Sequence, residues 1–574
     1  MSTATGEARP SIDWQRGLSA ALDFAVASHW RAIGLLVAFS LLAFLPGFFQ
    51  IPPVDRDEAR FAQATKQMLE TNDFVDIRFQ TEVRYKKPVG IYWLQAAAVK
   101  ASETLGVSQA RNSIWVYRLP SLAGATFAVL LTYWAALAFV PRRAALLAAL
   151  MMASSTILGV EARLAKTDAM LLLASVAAMG AFARIYLASQ AEPEAKIGWQ
   201  QPAILWTAIA LGVLLKGPLI LMFVGLTAAV LCAVDRSLQW LWSLRPIPGV
   251  LWLLLLASPW FIAIAAKSGG NFFVQAIGHD MLDKVTSGQE AHGAPPGYYL
   301  LLFWVTFWPG AVLAVLAASV VWKSRQEPGA RFLLAWLLPS WLVFEAVMTK
   351  LPHYVLPLYP AIAILIAGIV EPHGVSKQRW MARGTIGWFL FPTAIAIGVL
   401  VLFIIFGREL GLATWPFSAA AVIFGLFAWW LYEADGAERS LLRAMVASIF
   451  MAITVYAITF PQLPSLFPSA LIAEEIRAAD CERPRVASTS GYQEPSLVFL
   501  LGTETKFTDG AGAADFLRLK PCHFALIDPR SERNFVQSAE SMGLRYSLVR
   551  RVQGYNINTG KPTSLSIFRS QANQ

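Results

Sequence analysis

Long apolar runs alternate with short polar turns along most of the chain. They fall at roughly 32–49, 116–139, 144–159, 168–188, 203–215, 218–233, 249–266, 299–321, 332–348, 354–371, 385–406, 416–432 and 443–460. A helix needs about 20 apolar residues to cross the hydrocarbon layer, and most of these runs approach that length. The pattern predicts a mainly α, polytopic membrane protein with about 13 transmembrane helices. Three longer segments interrupt it, roughly 50–115, 267–298 and 461–574. In the first, Phe61, Ala64, Met68 and Leu69 recur at helical spacing within Glu58–Leu69, and residues 91–101 read IYWLQAAAVKA. Both predict short helices lying in the membrane interface. Beyond residue 460 the pattern changes. Short β-like runs at Arg485–Thr489, His523–Asp528, Leu544–Arg550 and Leu565–Phe568 alternate with helical runs at Ala511–Leu519 and Glu532–Met542. This predicts a membrane domain over 1–460 and a small α/β domain over 461–574. No repeat of one half in the other is visible, which disfavours a lipid or solute transporter.

Composition narrows the class. Hydrophobic residues make up 56% of the chain and charged residues 15%, with a mean hydropathy of +0.52. Soluble domains carry roughly 25% charge, so a soluble enzyme, a disordered chain and a disulfide-built miniprotein are excluded. Residues 1–30, with Asp13, Arg16 and Asp23 among apolar positions, read as an interfacial amphipathic helix without a cleavable signal, and Ile33–Phe49 as an uncleaved anchor. The net charge of +10 is informative through its distribution. Placing the N-terminus in the cytoplasm puts Arg142, Arg143, Lys196, Arg236, Arg245, Lys323, Arg325, Arg331, Lys377, Arg379, Arg383, Arg439 and Arg443 in short inside loops. An odd number of spans then exports the three long segments. The excess of cations reads as those loops plus a cationic site for an anionic substrate, not as a nucleic-acid surface. If the C-terminal segment is exported, Cys481 and Cys522 either form a disulfide or remain two thiols.

Charge near a membrane span is costly, so its placement carries information. Asp55, Asp57, Glu58 and Arg60 follow the first span. Glu161, Arg163, Lys166 and Asp168 lie between the third and fourth, Lys216-Gly217-Pro218 between the fifth and sixth, and Lys350, Pro352, His353 and Tyr354 between the ninth and tenth. All four places are exported in the orientation chosen from other residues. They are either ordinary polar turns or the lining of one outer cavity holding both signs of charge. The second arrangement suits transfer of a group carried on a phosphate: cations hold the leaving phosphate while a carboxylate deprotonates or orients the acceptor.

At these residues the chain resembles the GT-C membrane glycosyltransferases that use polyprenyl-phosphate sugars. Within them it is similar to the bacterial aminoarabinose transferases that modify lipid A, and to the related protein O-mannosyltransferases. The matching stretches are Asp57-Glu58-Ala59-Arg60-Phe61, Arg84-Tyr85-Lys86-Lys87-Pro88 followed by Tyr92-Trp93, Ala165-Lys166-Thr167-Asp168, Leu215-Lys216-Gly217-Pro218, Gly278-His279-Asp280, and Lys350 through Pro357. They run in the family's order over roughly residues 30–360. The resemblance implies an inverting transfer on the periplasmic face of the bacterial inner membrane. It implies Asp57, Glu58 and Asp168 as the catalytic acids. It implies Arg60, Tyr85, Lys87, Lys216, Lys350, Tyr354 and His279 as contacts of the donor phosphate or substrate. The donor would be a polyprenyl-phosphate-linked sugar, 4-amino-4-deoxy-L-arabinose among the candidates, and the acceptor lipid A, core oligosaccharide or protein. Asp55 is an additional acid two residues ahead of Asp57, and Lys86 stands where the aminoarabinose branch commonly has an acid.

Other groupings stay open. His279, Asp280, Asp283, Glu290 and His292 in the 267–298 segment are of metal-binding type, and a divalent metal held by His279, Asp280 and His292 stands beside a substrate contact or a plain polar loop. Tyr298, Tyr299, Trp304 and Trp308 suit either an isoprenoid chain or an aromatic interface belt. No Walker loop, dinucleotide fingerprint or Cys-x-x-Cys occurs, so a soluble nucleotide donor has no support.

Overall fold

The structure is a computed structural model and describes residues 13–192, 197–276, 293–371, 383–407, 409–479, 483–519 and 522–571, with Gly278 and Cys481. His279, Asp280, Asp283, Glu290 and His292, and the loop cations Lys196, Lys377 and Arg379, lie outside these residues. The chain begins with α1 (Asp13–Val26) and α2 (His29–Phe44). Next come α3 (Asp57–Thr71), a hairpin of β1 (Arg78–Phe79) and β2 (Glu82–Val83), and α4 (Gly90–Thr104). The bundle continues with α5 (Ile114–Ala136), α6 (Arg142–Ser154), α7 (Thr156–Glu161), α8 (Asp168–Ala191), α9 (Gln200–Lys216), α10 (Leu219–Asp235) and α11 (Pro246–Ser268). Further helices follow at Pro328–Ala346, Tyr359–Val370, Gly387–Phe406, Trp415–Trp430 and Tyr432–Ala452.

The fold is a mainly helical, multi-span membrane protein, but not every apolar run makes a full span. Among the described residues eight helices are long and apolar enough to cross, or nine if the bent pair Tyr298–Thr306 and Ala311–Lys323 counts as one. The runs expected at 32–49, 144–159, 203–215 and 218–233 give α2, α6, α9 and α10, of 16, 13, 17 and 17 residues. The cause is local. Pro46-Gly47, the Ser154–Ser155 pair and Lys216-Gly217-Pro218 stop these helices early, and Gly217 takes a positive φ of 70° to end α9.

Residue size sorts the helices. Every residue of α6 from Ala144 to Ser154 is buried, and α8 is buried along most of its length. Ala, Ser and Gly let neighbouring helices approach closely where lipid gives no hydrophobic drive between them. By contrast α11 presents Leu251, Leu254, Leu255 and Ile262 outward, as a lipid-facing helix would. The site therefore rests on the inner helices α5 and α8.

At the far end of α8 the expected inside-loop cations meet partners. Tyr186 and Arg331 both bind Asp235, and Arg143 pairs with Asp23 and with Glu438.

The helix expected over 58–69 forms as α3 and is covered by protein: all of Glu58–Leu69 except Arg60 is buried. The C-terminal region covers it. Lys66 donates to the Phe499 carbonyl at 3.0 Å and to Asn112 at 2.7 Å. Gln63 donates to the Thr503 hydroxyl, and Gln80 to the carbonyls of Thr503 and Thr505. Burial pushes the Lys66 ammonium down to about 8. α4, in contrast, keeps Trp93 and Leu94 exposed, consistent with an interface helix.

The covering region holds a five-stranded mixed sheet in the order β4-β3-β5-β7-β6. Its strands are β3 (Arg485–Thr489), β4 (Lys506–Thr508), β5 (His523–Ile527), β6 (Tyr546–Asn556) and β7 (Lys561–Ser570). β3 runs parallel to β4 and β5, and β7 antiparallel to β5 and β6. Helices cover both faces of β5, so its five residues are all buried and Phe524–Ile527 read as a continuous apolar run. Cys481 and Cys522 are bonded, with Cα atoms 6.0 Å apart. The sequence pattern did not show β4 or the helix Pro495–Leu501, and it is that helix which docks on α3.

The Phe499 ring is fully buried against Tyr117, with centroids 5.3 Å apart. Phe499→Ala is expected to cost about 3–5 kcal/mol. Limited proteolysis of the purified protein would then release the C-terminal region faster than from wild type; equal rates would place the docking energy elsewhere.

Candidate active site

The site is built around one buried guanidinium. Arg118 lies in the first turns of α5, and its fractional exposure is 1%. All five of its N–H groups are engaged. Nε and Nη2 donate to Glu58 Oε1 and Oε2 at 2.7 and 2.8 Å. Nη1 donates to the carbonyls of Phe48 and Ile51, and Nη2 also to that of Pro52. Glu58 completes the arrangement by accepting from the backbone N–H groups of Val54 and Ala165. The end of the first span, the start of α3 and the turn at 162–167 are thereby drawn together. That turn is pinned further by Gln95, which donates to the Ala165 carbonyl, and by Ser121, which donates to that of Lys166.

The pinned turn presents a cluster of charge. Lys166 Nζ lies 3.0 Å from Glu161 Oε1 and 3.9 Å from Asp168 Oδ2. Lys216, at the end of α9, bonds to Asp168 Oδ1 and lies over the Tyr354 ring, 5.2 Å from its centroid. The His353 ring sits between the two acids, Nδ1 3.6 Å from Glu161 and Nε2 3.5 Å from Asp168. Two carboxylates against two ammonium groups leave the cluster neutral while His353 is neutral. Lys87 and Asp57 lie within electrostatic reach, the former of His353 and the latter of Lys166.

The residues expected from sequence fall into two groups. Asp57, Lys87, Asp168, Lys216, Tyr354 and His353 converge on this end of the bundle. Asp57 is exposed at the first position of α3, and among the described residues no hydrogen bond or ion pair engages its side chain. Others are occupied elsewhere. Glu58 accepts four hydrogen bonds from the protein itself. The buried Tyr85 hydroxyl donates to Asp76 at 2.7 Å, and burial pushes it up to about 12. Lys350 is buried and donates to the Val347 carbonyl. Arg163 turns away toward the carbonyls of Ala43, Pro46 and Gly159 and the Tyr456 ring. Arg60, one turn into α3, makes no side-chain hydrogen bond among the described residues. Tyr299 and Trp308 are core residues, packed on Phe344 and Phe391, whereas Trp304 is exposed. Sequence reasoning missed Arg118. The signal was present, since it is the sole charged residue in the apolar run Ile114–Ala136.

An apolar cavity of about 610 Å³ opens beside the cluster. It lies between α4, α8 and α9, with Trp93, Met170, Leu211 and Leu215 among its lining residues. Leu215 adjoins Lys216, and Met170 is two residues from Asp168, so the helices that line the slot also carry two of the charged residues.

Glu161, Asp168 and His353 offer ligand atoms within 4.8 Å of one another, a spacing that a cation could bridge. The donor set nevertheless does not fit a resident metal. Lys166 and Lys216 already neutralise both carboxylates at contact distance, and a divalent ion would have to displace two ammonium groups. Any rise of the thermal midpoint with added Mg²⁺, Mn²⁺ or Zn²⁺ is therefore expected to be the same in wild type and in His353→Ala. A metal-dependent rise that His353→Ala removes would reverse this reading of the cluster.

Comparison with known proteins agrees with this architecture. Residues 31–270 match the family described as dolichyl-phosphate-mannose-protein mannosyltransferase. The undecaprenyl phosphate-alpha-4-amino-4-deoxy-L-arabinose arabinosyl transferase of Edwardsiella ictaluri (strain 93-146) is 27% identical over 346 residues, 60% of this chain and 59% of that protein. Its counterpart in Yersinia pestis (strain Pestoides F) is 27% identical over 357 residues, 60% of each chain. The chain thus aligns with about three fifths of the length of these relatives. The crystal structure of ArnT from Cupriavidus metallidurans in the apo state superposes with a TM-score of 0.73 at 18% identity, covering 94% of this chain and 98% of that one. The same protein bound to undecaprenyl phosphate gives 0.73 at 19% identity, covering 93% and 97%. The chain thus shares the ArnT fold over nearly its whole length and is similar to the mannosyltransferase family over residues 31–270.

Proposed function

We propose that the protein is an ArnT-like inverting glycosyltransferase, moving a monosaccharide from a polyprenyl-phosphate carrier to lipid A or another lipopolysaccharide acceptor at the periplasmic face of the bacterial inner membrane. The observation that carries this reading is the juxtaposition of the exposed Asp57 carboxylate with the Lys166–Asp168–Lys216–His353 cluster, beside an apolar slot. An anionic head on a long apolar chain needs cations at the end of a greasy path. The exported position is supported by the Cys481–Cys522 bond and by the cations gathered at the opposite end of the bundle.

In the transfer, the acceptor oxygen attacks the anomeric carbon, the bond from that carbon to the phosphate oxygen breaks, and polyprenyl phosphate leaves with the electron pair. In this reading Lys87 and Lys216 balance the developing phosphate charge, and Arg60 joins them through a bidentate contact. Asp57 takes the proton of a hydroxyl acceptor. With an acceptor phosphate, which is anionic at neutral pH, it orients the sugar instead. Asp168 holds Lys216, and Glu58 is a structural anchor rather than a reacting acid. The match of residues 31–270 to a protein mannosyltransferase family favours a second reading, with a protein hydroxyl as acceptor.

Mass spectrometry of lipid A and core oligosaccharide from a deletion strain tests both readings. The wild-type gene is expected to restore a sugar-sized mass increment. Asp57→Asn should express normally and lose about 100-fold or more of that increment. Near-normal product from Asp57→Asn would remove Asp57 as the acting acid. An increment on exported proteins alone would transfer the acceptor to the second reading. Lys87→Ala is expected to weaken use of the donor about tenfold, read as a higher KM in vesicles, and an unchanged KM would exclude the phosphate contact.

A further inference from the structure

Asp55 is a half-buried acid that the transfer chemistry leaves without a task. Its Oδ1 accepts the backbone N–H of Ser496 at 2.8 Å. Ser496 belongs to the C-terminal region and lies 441 positions away in sequence. It stands on a braced segment. Its hydroxyl donates to Ser469, which also bonds the Tyr492 hydroxyl, and Glu494 accepts from Asn556 and Asn558 at 2.5 and 2.7 Å.

Between Asp55 and Asp57 the chain is strained. Arg56 takes φ 66° and ψ −101°, a left-handed conformation unfavourable for a side chain of that size. Such a conformation persists only where both flanks are held. One flank is Glu58, locked to Arg118, and the other is Asp55, locked to Ser496. Asp57 lies between the two anchors.

The sheet shows why the loop after β3 is turned outward to make this contact, beside those of Phe499, Thr503 and Thr505. β3 lies between β4 and β5, so its carboxyl end is a switch point where open sheets of this kind usually bind ligands. Here that crevice is filled from within. Asp528 accepts from Thr489 at 2.6 Å, from Ser531 at 2.7 Å and from the Gly491 N–H. The loop leaving β3 instead runs to Ser496 and meets Asp55.

We propose that Asp55 is a positioning residue, through which the C-terminal sheet region holds Asp57 in its working place. This rests on the assignment of Asp57 to the transfer, but the contact can be tested without it. Burial pushes the Asp55 carboxyl up to about 7, against the Ser496 hydrogen bonds and with the repulsion of Glu494 and Glu58. Those two acids and the Tyr492 phenol are the titratable groups facing it. A raised acid favours folding fully below its unfolded pKa, near 4, and that contribution is lost as pH rises through about 7. The tether is therefore tighter at pH 6 than at pH 8.

The experiment is amide hydrogen exchange on the full-length protein in nanodiscs, corrected for intrinsic rates, with the complementation assay beside it. In wild type, exchange across residues 54–60 is expected to rise from pH 6 to pH 8. Asp55→Ala should speed it by about tenfold or more at pH 6 and lower sugar transfer by a similar factor. Asp55→Asn keeps the acceptor oxygen without the buried charge; it should restore protection and transfer and remove the pH dependence. An inactive Asp55→Asn with wild-type protection would overturn the proposal, making Asp55 a group that touches substrate. Wild-type exchange and transfer in Asp55→Ala would overturn it too. Should the wild-type gene itself add no sugar to any acceptor, the transfer reading fails and the exchange data alone decide the tether.

Discussion

The architecture depends on keeping the Arg118 guanidinium satisfied where water is scarce. A guanidinium has five N–H groups and no second protonation state to retreat to, so a buried one needs a donor-matched cage. Glu58 and three backbone carbonyls supply it. Each of those acceptors belongs to chain that would otherwise wander: the exit of the first span and the entry of α3. Glu58 then reaches across to the Ala165 N–H and fixes the turn that bears Lys166 and Asp168. One ion pair thereby sets the relative positions of most of the charged groups at this end of the bundle. Partial satisfaction would leave an unpaired charge in the interior, so the arrangement forms as a whole.

Upon that frame the chemistry is divided by engagement. Glu58 and Tyr85 have their polar atoms bound within the protein, Glu161 and Asp168 are paired with lysines, and Asp57 stands exposed at the head of α3. A neutral cluster of acids and ammonium groups stays folded without substrate, and an arriving phosphate can recruit its cations. In the proposed transfer, the apolar slot along α4, α8 and α9 takes the lipid chain. The C-terminal sheet region closes over α3 and reaches the same loop from the other side.

Much of this was legible in sequence. Thirteen apolar runs marked the helices, and the polar turns between them marked the end at which the charged cluster lies. Span lengths were less legible, because Pro46-Gly47, Ser154-Ser155 and Lys216-Gly217-Pro218 end helices inside apolar text. The roles of Glu58 and Tyr85 were not legible, since motif position cannot tell an acid facing substrate from one facing Arg118. The burial of α3 was hidden for a related reason. Its amphipathic spacing fits a membrane surface as well as a protein surface, and the helix that covers it, Pro495–Leu501, is a seven-residue apolar segment too short and too buried to show a period.

In the proposed transfer, this end of the bundle recognises a phosphate on a polyprenyl chain. Titrating purified protein with undecaprenyl phosphate and, separately, with undecaprenol, the same chain without the phosphate, measures that recognition. The phosphate form is expected to bind about tenfold or more tightly, and Lys216→Met to abolish the difference. Equal affinity for the two lipids would rule the recognition out.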